Sequence, residues 1–183
     1  MINDDNIYQQ ASERGTGNRK LATAANNYQI ITELDDSLKK MVAEWYNEEW
    51  QIPLVNTLAL LDKITGDAAQ VHVVLMVDDR PVATAGLHNS VGIMAYYPEL
   101  SELKNWLALV YTVPSERKKG YATLLCEYLE AVARQKRLPS LHLFTHTAED
   151  LYRSLQWTTT RHLHHGTKKI ALMQKRLDQA SSS

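Results

Sequence analysis

A chain of 183 residues with an apolar fraction of 44% can bury one sizeable core, or two small ones. Its formal net charge of −1 gives no general attraction to nucleic acid or to anionic membranes. The single cysteine, Cys126, excludes an intrachain disulfide and cysteine ligation of zinc, and suits a reducing compartment.

Residues 1–27 read as a disordered tail: polar, with Gly15-Thr16-Gly17-Asn18 and neither helical nor strand periodicity. Asp4, Asp5, Gln9 and Gln10 stand where a signal peptide has a basic start and an apolar stretch. No apolar run approaches the roughly 20 residues that span a bilayer, so a cytoplasmic protein is expected. Residues 28–178 carry the alternating pattern of one folded domain, and 179–183 form a second short tail.

Tyr28 to Thr32 reads as a first strand. Asp36 or Ser37 can cap a helix with Leu38, Met41, Val42 and Trp45 at i, i+3, i+4 and i+7. A second helix begins at Pro53 and buries Leu54, Leu58, Leu61 and Ile64 before Gly66 stops it. Val71–Val77 and Pro81–Leu87 are strands joined by the tight Asp78-Asp79-Arg80 turn. The nearly continuous apolar run Trp106–Tyr111 suits a strand covered on both faces, hence central. Tyr121, Leu124, Leu125, Tyr128, Leu129 and Val132 then form an unbroken helical stripe, closed by Lys136 and Arg137.

Leu141–Thr145 is another strand, and Thr147 can cap a short helix with Glu149 and Asp150 in its first turn. Strands Thr158–His164 and Lys169–Leu177 finish the order β-α-α-β-β-β-α-β-α-β-β. An α/β (α+β) mixed sheet with helices on its faces is the expected class.

Val110-Tyr111-Thr112-Val113-Pro114-Ser115-Glu116-Arg117-Lys118-Lys119-Gly120-Tyr121-Ala122 carries the chemistry. A buried strand ends, Pro114 breaks its pairing, and a glycine turn opens a long helix. The first amides of that helix lack intrahelical partners and sit at the positive end of its dipole, which makes an anion site. Gly120 lets a phosphate approach the backbone, and Arg117, Lys118 and Lys119 add charge. The segment is neither the Walker phosphate loop nor the dinucleotide G-x-G-x-x-G, and a solvated basic turn before a core helix fits these residues equally well.

Arg117-x-x-Gly120-x-Ala122 resembles the [RQ]-x-x-G-x-[GA] signature of the GNAT superfamily of N-acetyltransferases, in a bacterial branch. Tyr96-Tyr97-Pro98-Glu99-Leu100, Asn105-Trp106-Leu107-Ala108, and Leu151-Tyr152-Arg153-Ser154-Leu155-Gln156-Trp157 extend the likeness over roughly Tyr28 to Leu177. The resemblance implies a mostly antiparallel sheet of about seven strands, flanked by about four helices and splayed between strands 4 and 5. Acetyl-CoA would be the co-substrate, with its pantetheine arm on the main chain of Val110, Tyr111 and Thr112. Its pyrophosphate would lie on Arg117, Lys118, Lys119, Gly120, Tyr121, Ala122 and Thr123. Members with an Asn or Ser near the start of the last helix gain one more cofactor contact; Thr145-His146-Thr147-Ala148 offers no Asn.

The resemblance gives Tyr152 the role of general acid toward the departing thiolate, against the plainer reading of a core tyrosine. Family members often place a carboxylate on the fourth strand, but Asn105 to Val113 contains none. Deprotonating a lysine amine (pKa roughly 10.4) costs about 3.3 kcal/mol more at neutral pH than an α-amine (roughly 8). The sequence therefore leans toward a low-pKa amine acceptor or a relay through water. His146, His88 and Glu49 are relay candidates, and Trp50 and His88 are candidate acceptor contacts. A monomer or homodimer acting on a primary amine is expected, with no metal, nucleic acid or membrane partner. The rival is a non-catalytic module that keeps the cofactor cleft for sensing or interaction. His162, His164 and His165 lack a third ligand of clear spacing and are set aside as a metal site.

Overall fold

The first strand, β1 (Tyr28–Ile31), runs into helices α1 (Asp36–Trp50) and α2 (Leu54–Thr65), then strands β2 (Val71–Val77) and β3 (Arg80–His88). After two short 3-10 turns come β4 (Trp106–Thr112), α3 (Tyr121–Gln135), β5 (Ser140–Thr145), α4 (Glu149–Ser154), β6 (Thr158–His165) and β7 (Lys168–Arg176). This computed structural model describes residues 28–177, and the expected tails at 1–27 and 179–183 lie outside the described residues. The eleven elements follow the order expected from the sequence.

Seven strands form one sheet in the order β1-β2-β3-β4-β5-β7-β6. The pairs β1–β2, β2–β3, β5–β7 and β6–β7 are antiparallel, and β4–β5 is parallel. The β4–β5 register is the single pair Trp106↔His142, where the His142 amide donates to Asn105 O at 3.0 Å. This is the open, mixed sheet that the resemblance implies.

Among the described residues the chain divides into two compact units, one of 28–88 with 109–125, the other of 89–108 with 126–177. The core of the first gathers Val42, Tyr46, Leu61, Val74 and Tyr111. Asp78 and Asp79, with φ of 49° and 59°, form its β2–β3 hairpin turn. Both central residues of such a turn must be left-handed to match the strand twist. In the second unit Leu141, Leu143 and Met173 are buried side chains of the β5–β7 pair, and Leu129 is a fully buried side chain of α3.

Local signals were displaced at three ends. The Asp35 carboxylate caps α1, accepting from the Leu38 amide at 2.8 Å, one residue before the expected Asp36 or Ser37. At α2 Leu61 and Ile64 are buried as expected, together with Thr57, while Leu58 is half-buried and Leu54, the first residue of the helix, is exposed. Ahead of α4 the Thr145 hydroxyl, not Thr147, takes the Ala148 amide at 3.1 Å.

Candidate active site

The last strand residues before the signature turn contain a break that no side chain announces. Leu109 sits inside β4 with φ 55°, a left-handed conformation that costs a non-glycine residue roughly 1–3 kcal/mol. Its carbonyl is turned onto the Tyr46 hydroxyl, which donates at 2.8 Å. Tyr46 is fully buried on α1, and that burial pushes its phenol pKa up, so it stays a donor.

Tyr46 is one member of an internal polar array. His72 Nε2 lies 3.1 Å from the Tyr46 hydroxyl and 3.0 Å from the Thr84 hydroxyl, and His72 Nδ1 lies 3.0 Å from His88 Nε2. The Thr84 hydroxyl donates to Val73 O at 2.8 Å. The two imidazoles stack with centroids 5.2 Å apart. Burial holds the His88 pKa at about 4, and burial together with His88 holds His72 well below the ordinary value, so both rings are neutral. His88, expected at the acceptor or in a relay, is thus 2% exposed within this array.

Beyond β4 the turn has the shape of an anion cradle. Lys118 and Gly120 have φ of 65° and 88°, and nothing lies within 4 Å of where a Gly120 Cβ would be. The requirement for glycine here is therefore conformational, and the space outside is open. The Leu124 amide makes the first helical bond, to Gly120 O at 3.0 Å. The amides of Tyr121, Ala122 and Thr123 have no acceptor among the described residues, as expected at a helix start without a capping side chain.

Of the basic side chains there, two turn back onto the protein. Arg117 donates from Nη2 to Glu49 at 2.9 Å and from Nε to Thr112 O at 3.0 Å, with its guanidinium 5.7 Å from the Tyr111 ring centroid. Lys119 pairs with Glu116 at 2.7 Å, a bond that raises the lysine pKa. Lys118 is exposed. Trp50 is half-buried, 5.1 Å from the Tyr46 ring and 6.0 Å from Tyr111. Trp45 closes the same aromatic group, 5.4 Å from Tyr111. Glu49, a relay candidate, and Trp50, a candidate acceptor contact, therefore stand together at one end of α1 beside Tyr111 and Arg117. Val110 and Thr112 are half-buried, and the Tyr111 side chain packs inward.

Tyr152 belongs to the other unit. It is 7% exposed on α4, its ring edge-on to Trp157 at 6.1 Å, and burial raises its pKa so that the hydroxyl keeps its proton. Trp157 in turn donates to Glu130 at 3.1 Å, and Lys175 donates to Glu130 at 2.6 Å and to Leu155 O at 2.7 Å. His146 is exposed in the turn before α4. Glu149 gathers Arg153, Thr159 and His162, which absorbs one of the three clustered histidines. Among the described residues no group of three or more His, Cys, Asp or Glu could hold a metal ion, and no helix is long and apolar enough to cross a membrane.

The residues that sequence reasoning passed over are Tyr46, His72, Thr84, Gly86 and Leu109. One signal was available: Thr84, Gly86 and His88 alternate along β3, so a small-polar stripe occupies one face of a strand that is otherwise apolar.

The acetyltransferase (GNAT) family model matches residues 36–157, more than half of the chain, and the chain belongs to that family. Membership implies acyltransferase activity. An aminoglycoside 6'-N-acetyltransferase complexed with coenzyme A is similar at a TM-score of 0.66 and 15% identity, covering 84% of this chain and 99% of that one. The yncA protein from Salmonella typhimurium, solved with acetyl-CoA, is similar at 0.64 and 16%, covering 86% and 98%. A spermidine N-acetyltransferase chimera from Vibrio cholerae and hSSAT follows at 0.61 and 14%, covering 82% and 95%. These likenesses concern the fold. No curated protein matches the chain.

Proposed function

We propose that residues 28–178 form one N-acetyltransferase domain that moves an acetyl group from acetyl-CoA to a primary amine by direct transfer in a ternary complex. The observation that carries this reading is the turn at Lys118 and Gly120, left-handed and open, ahead of three helix-opening amides without acceptors. The pyrophosphate lies on the main chain of Arg117 to Thr123, with Lys118 free to reach it. The pantetheine arm runs along Val110, Tyr111 and Thr112. Attack by the neutral amine forms the C–N bond and breaks the C–S bond. The departing thiolate takes the Tyr152 proton, and the amine loses its own to water.

The acceptor meets Glu49 and Trp50 at the end of α1. Since Asn105 to Val113 contains no carboxylate, His88 is internal and the Glu49 carboxylate is taken up by Arg117, the path at the end of α1 offers no unpaired base for a high-pKa amine. The reading therefore favours acceptors already partly neutral at pH 7. Polyamines and aminoglycosides head the test panel, because similar folds act on them, followed by amino acids and peptides with free N-termini.

Calorimetry with coenzyme A and thiol release over that panel test the proposal. Cofactor binding with turnover on at least one amine, α-amines ahead of lysine side chains, is the expected result. Cofactor binding without turnover on any amine would leave a sensing or interaction module in its place. Absence of binding would remove the reading altogether. Tyr152→Phe should lower turnover by about 10²-fold, the low end for an acid–base group, with coenzyme A affinity unchanged; unaltered turnover would take the acid role from Tyr152.

A further inference from the structure

The array behind β4 has only one consistent assignment of its hydrogens. The Tyr46 hydroxyl spends its proton on Leu109 O and the Thr84 hydroxyl spends its proton on Val73 O. Toward His72 Nε2 both oxygens can then only accept, so Nε2 carries the hydrogen and Nδ1 is left as an acceptor. His88 Nε2–H fills it. The chain runs His88 to His72 to Tyr46 to Leu109 O and stops on a carbonyl, so it passes no proton onward. It fixes geometry.

Gly86 makes the array possible. It faces His72 across the β2–β3 ladder, and a Cβ there would collide with His72 Nδ1 and His88 Nε2. The array's far end is the left-handed Leu109, held by a hydroxyl that approaches from α1. A trans peptide points its C=O and N–H in opposite directions, and no cis bond occurs among the described residues. Fixing Leu109 O on Tyr46 therefore fixes the direction of the Val110 N–H on the opposite edge.

We infer that Tyr46, oriented by His72 and His88, is a positioning residue for acetyl transfer: it holds the Leu109 peptide so that the Val110 N–H meets the thioester carbonyl as negative charge develops there. This rests on the acetyltransferase reading above. A donor already aimed at the developing oxyanion lowers the barrier without reorganising during the reaction.

The test compares wild type with Tyr46→Phe, His72→Leu and His72→Gln, using the best amine of the panel. Tyr46→Phe should lower kcat by about 10- to 100-fold, less than the ~10²–10³ for deleting an oxyanion donor outright. KM for acetyl-CoA and coenzyme A affinity should stay within about threefold, because ground-state binding is untouched. The Val110 amide resonance should move in the same variant. His72→Leu should behave like Tyr46→Phe, and His72→Gln, which keeps a donor and an acceptor, should recover most of the loss. A wild-type protein that binds coenzyme A yet turns over no amine sinks the acetyltransferase reading, and this inference with it. An active wild type whose Tyr46→Phe form keeps kcat within about twofold, or does not fold, overturns the inference alone.

Discussion

Glu130 on α3, 4% exposed, is held by Lys175 from β7 and by the Trp157 indole, with formal charge on both sides of a 2.6 Å contact. Tyr46 on α1, fully buried, holds β4 through neutral groups alone. Each assembly ties a helix to a strand and leaves no buried polar side-chain atom without a partner among the described residues. They differ in what breaks them. A buried ion pair is costly to halve because the remaining charge has nowhere to go. A neutral array loses about 1 kcal/mol per bond, yet it depends on every ring keeping its tautomer and its place.

Lys175→Met is the strongest test of that contrast. It should lower unfolding free energy by about 3–5 kcal/mol in urea titration, since Glu130 keeps only Trp157 and a long 3.6 Å contact with Arg134. Pairing it with Glu130→Leu should recover a large part. If the single variant costs under about 1 kcal/mol, the charged pin is no pin.

Acid should separate the two assemblies next. His88 has its pKa lowered from 6.5 to about 4, and burial together with His88 lowers that of His72 well below 6.5. The groups they face in the array, Tyr46 and Thr84, carry no charge. Between those pH values the unfolded chain binds protons that the native chain does not. The array's stability is therefore complete above pH 6.5 and falls as pH drops toward 4, by about 3 kcal/mol for His88 alone. Urea midpoints from pH 7.5 to 4.5 should show the decline, and His88→Gln should flatten it.

Gly86→Ala should cost about 1–3 kcal/mol by overpacking the imidazole pair, measured as a loss of Tm. A neutral outcome would mean that the rings can part freely. The smallest effect is expected at Glu49→Gln. The Glu49–Arg117 pair is 35% and 44% exposed, so its loss should change stability by less than about 1 kcal/mol.

The order of all eleven elements was legible because each carries its own period: the stripe of α3, the unbroken run of β4, the left-handed aspartates after β2. The signature turn was legible for the same reason, being contiguous from Arg117 to Ala122. What escaped is long-range. Tyr46 meets residues 26 and 63 positions away, and nothing near position 46 distinguishes that tyrosine from an ordinary core residue. Leu109 is left-handed only because another element captures its carbonyl, and leucine has no local preference for that conformation. Helix caps slipped by a residue or two because several polar side chains compete at each end, as Asp35, Asp36 and Ser37 do.

The absent side chain at position 86 also says how this chain can change over generations. Two imidazoles share the room a methyl group would take, so a larger residue there is admissible only if His72 or His88 has already shrunk. A chain that first lost an imidazole would leave a void and an unanswered hydroxyl beside Thr84. Positions 72, 84, 86 and 88 should therefore be inherited as a block, and descendants should differ at none of them or at several together.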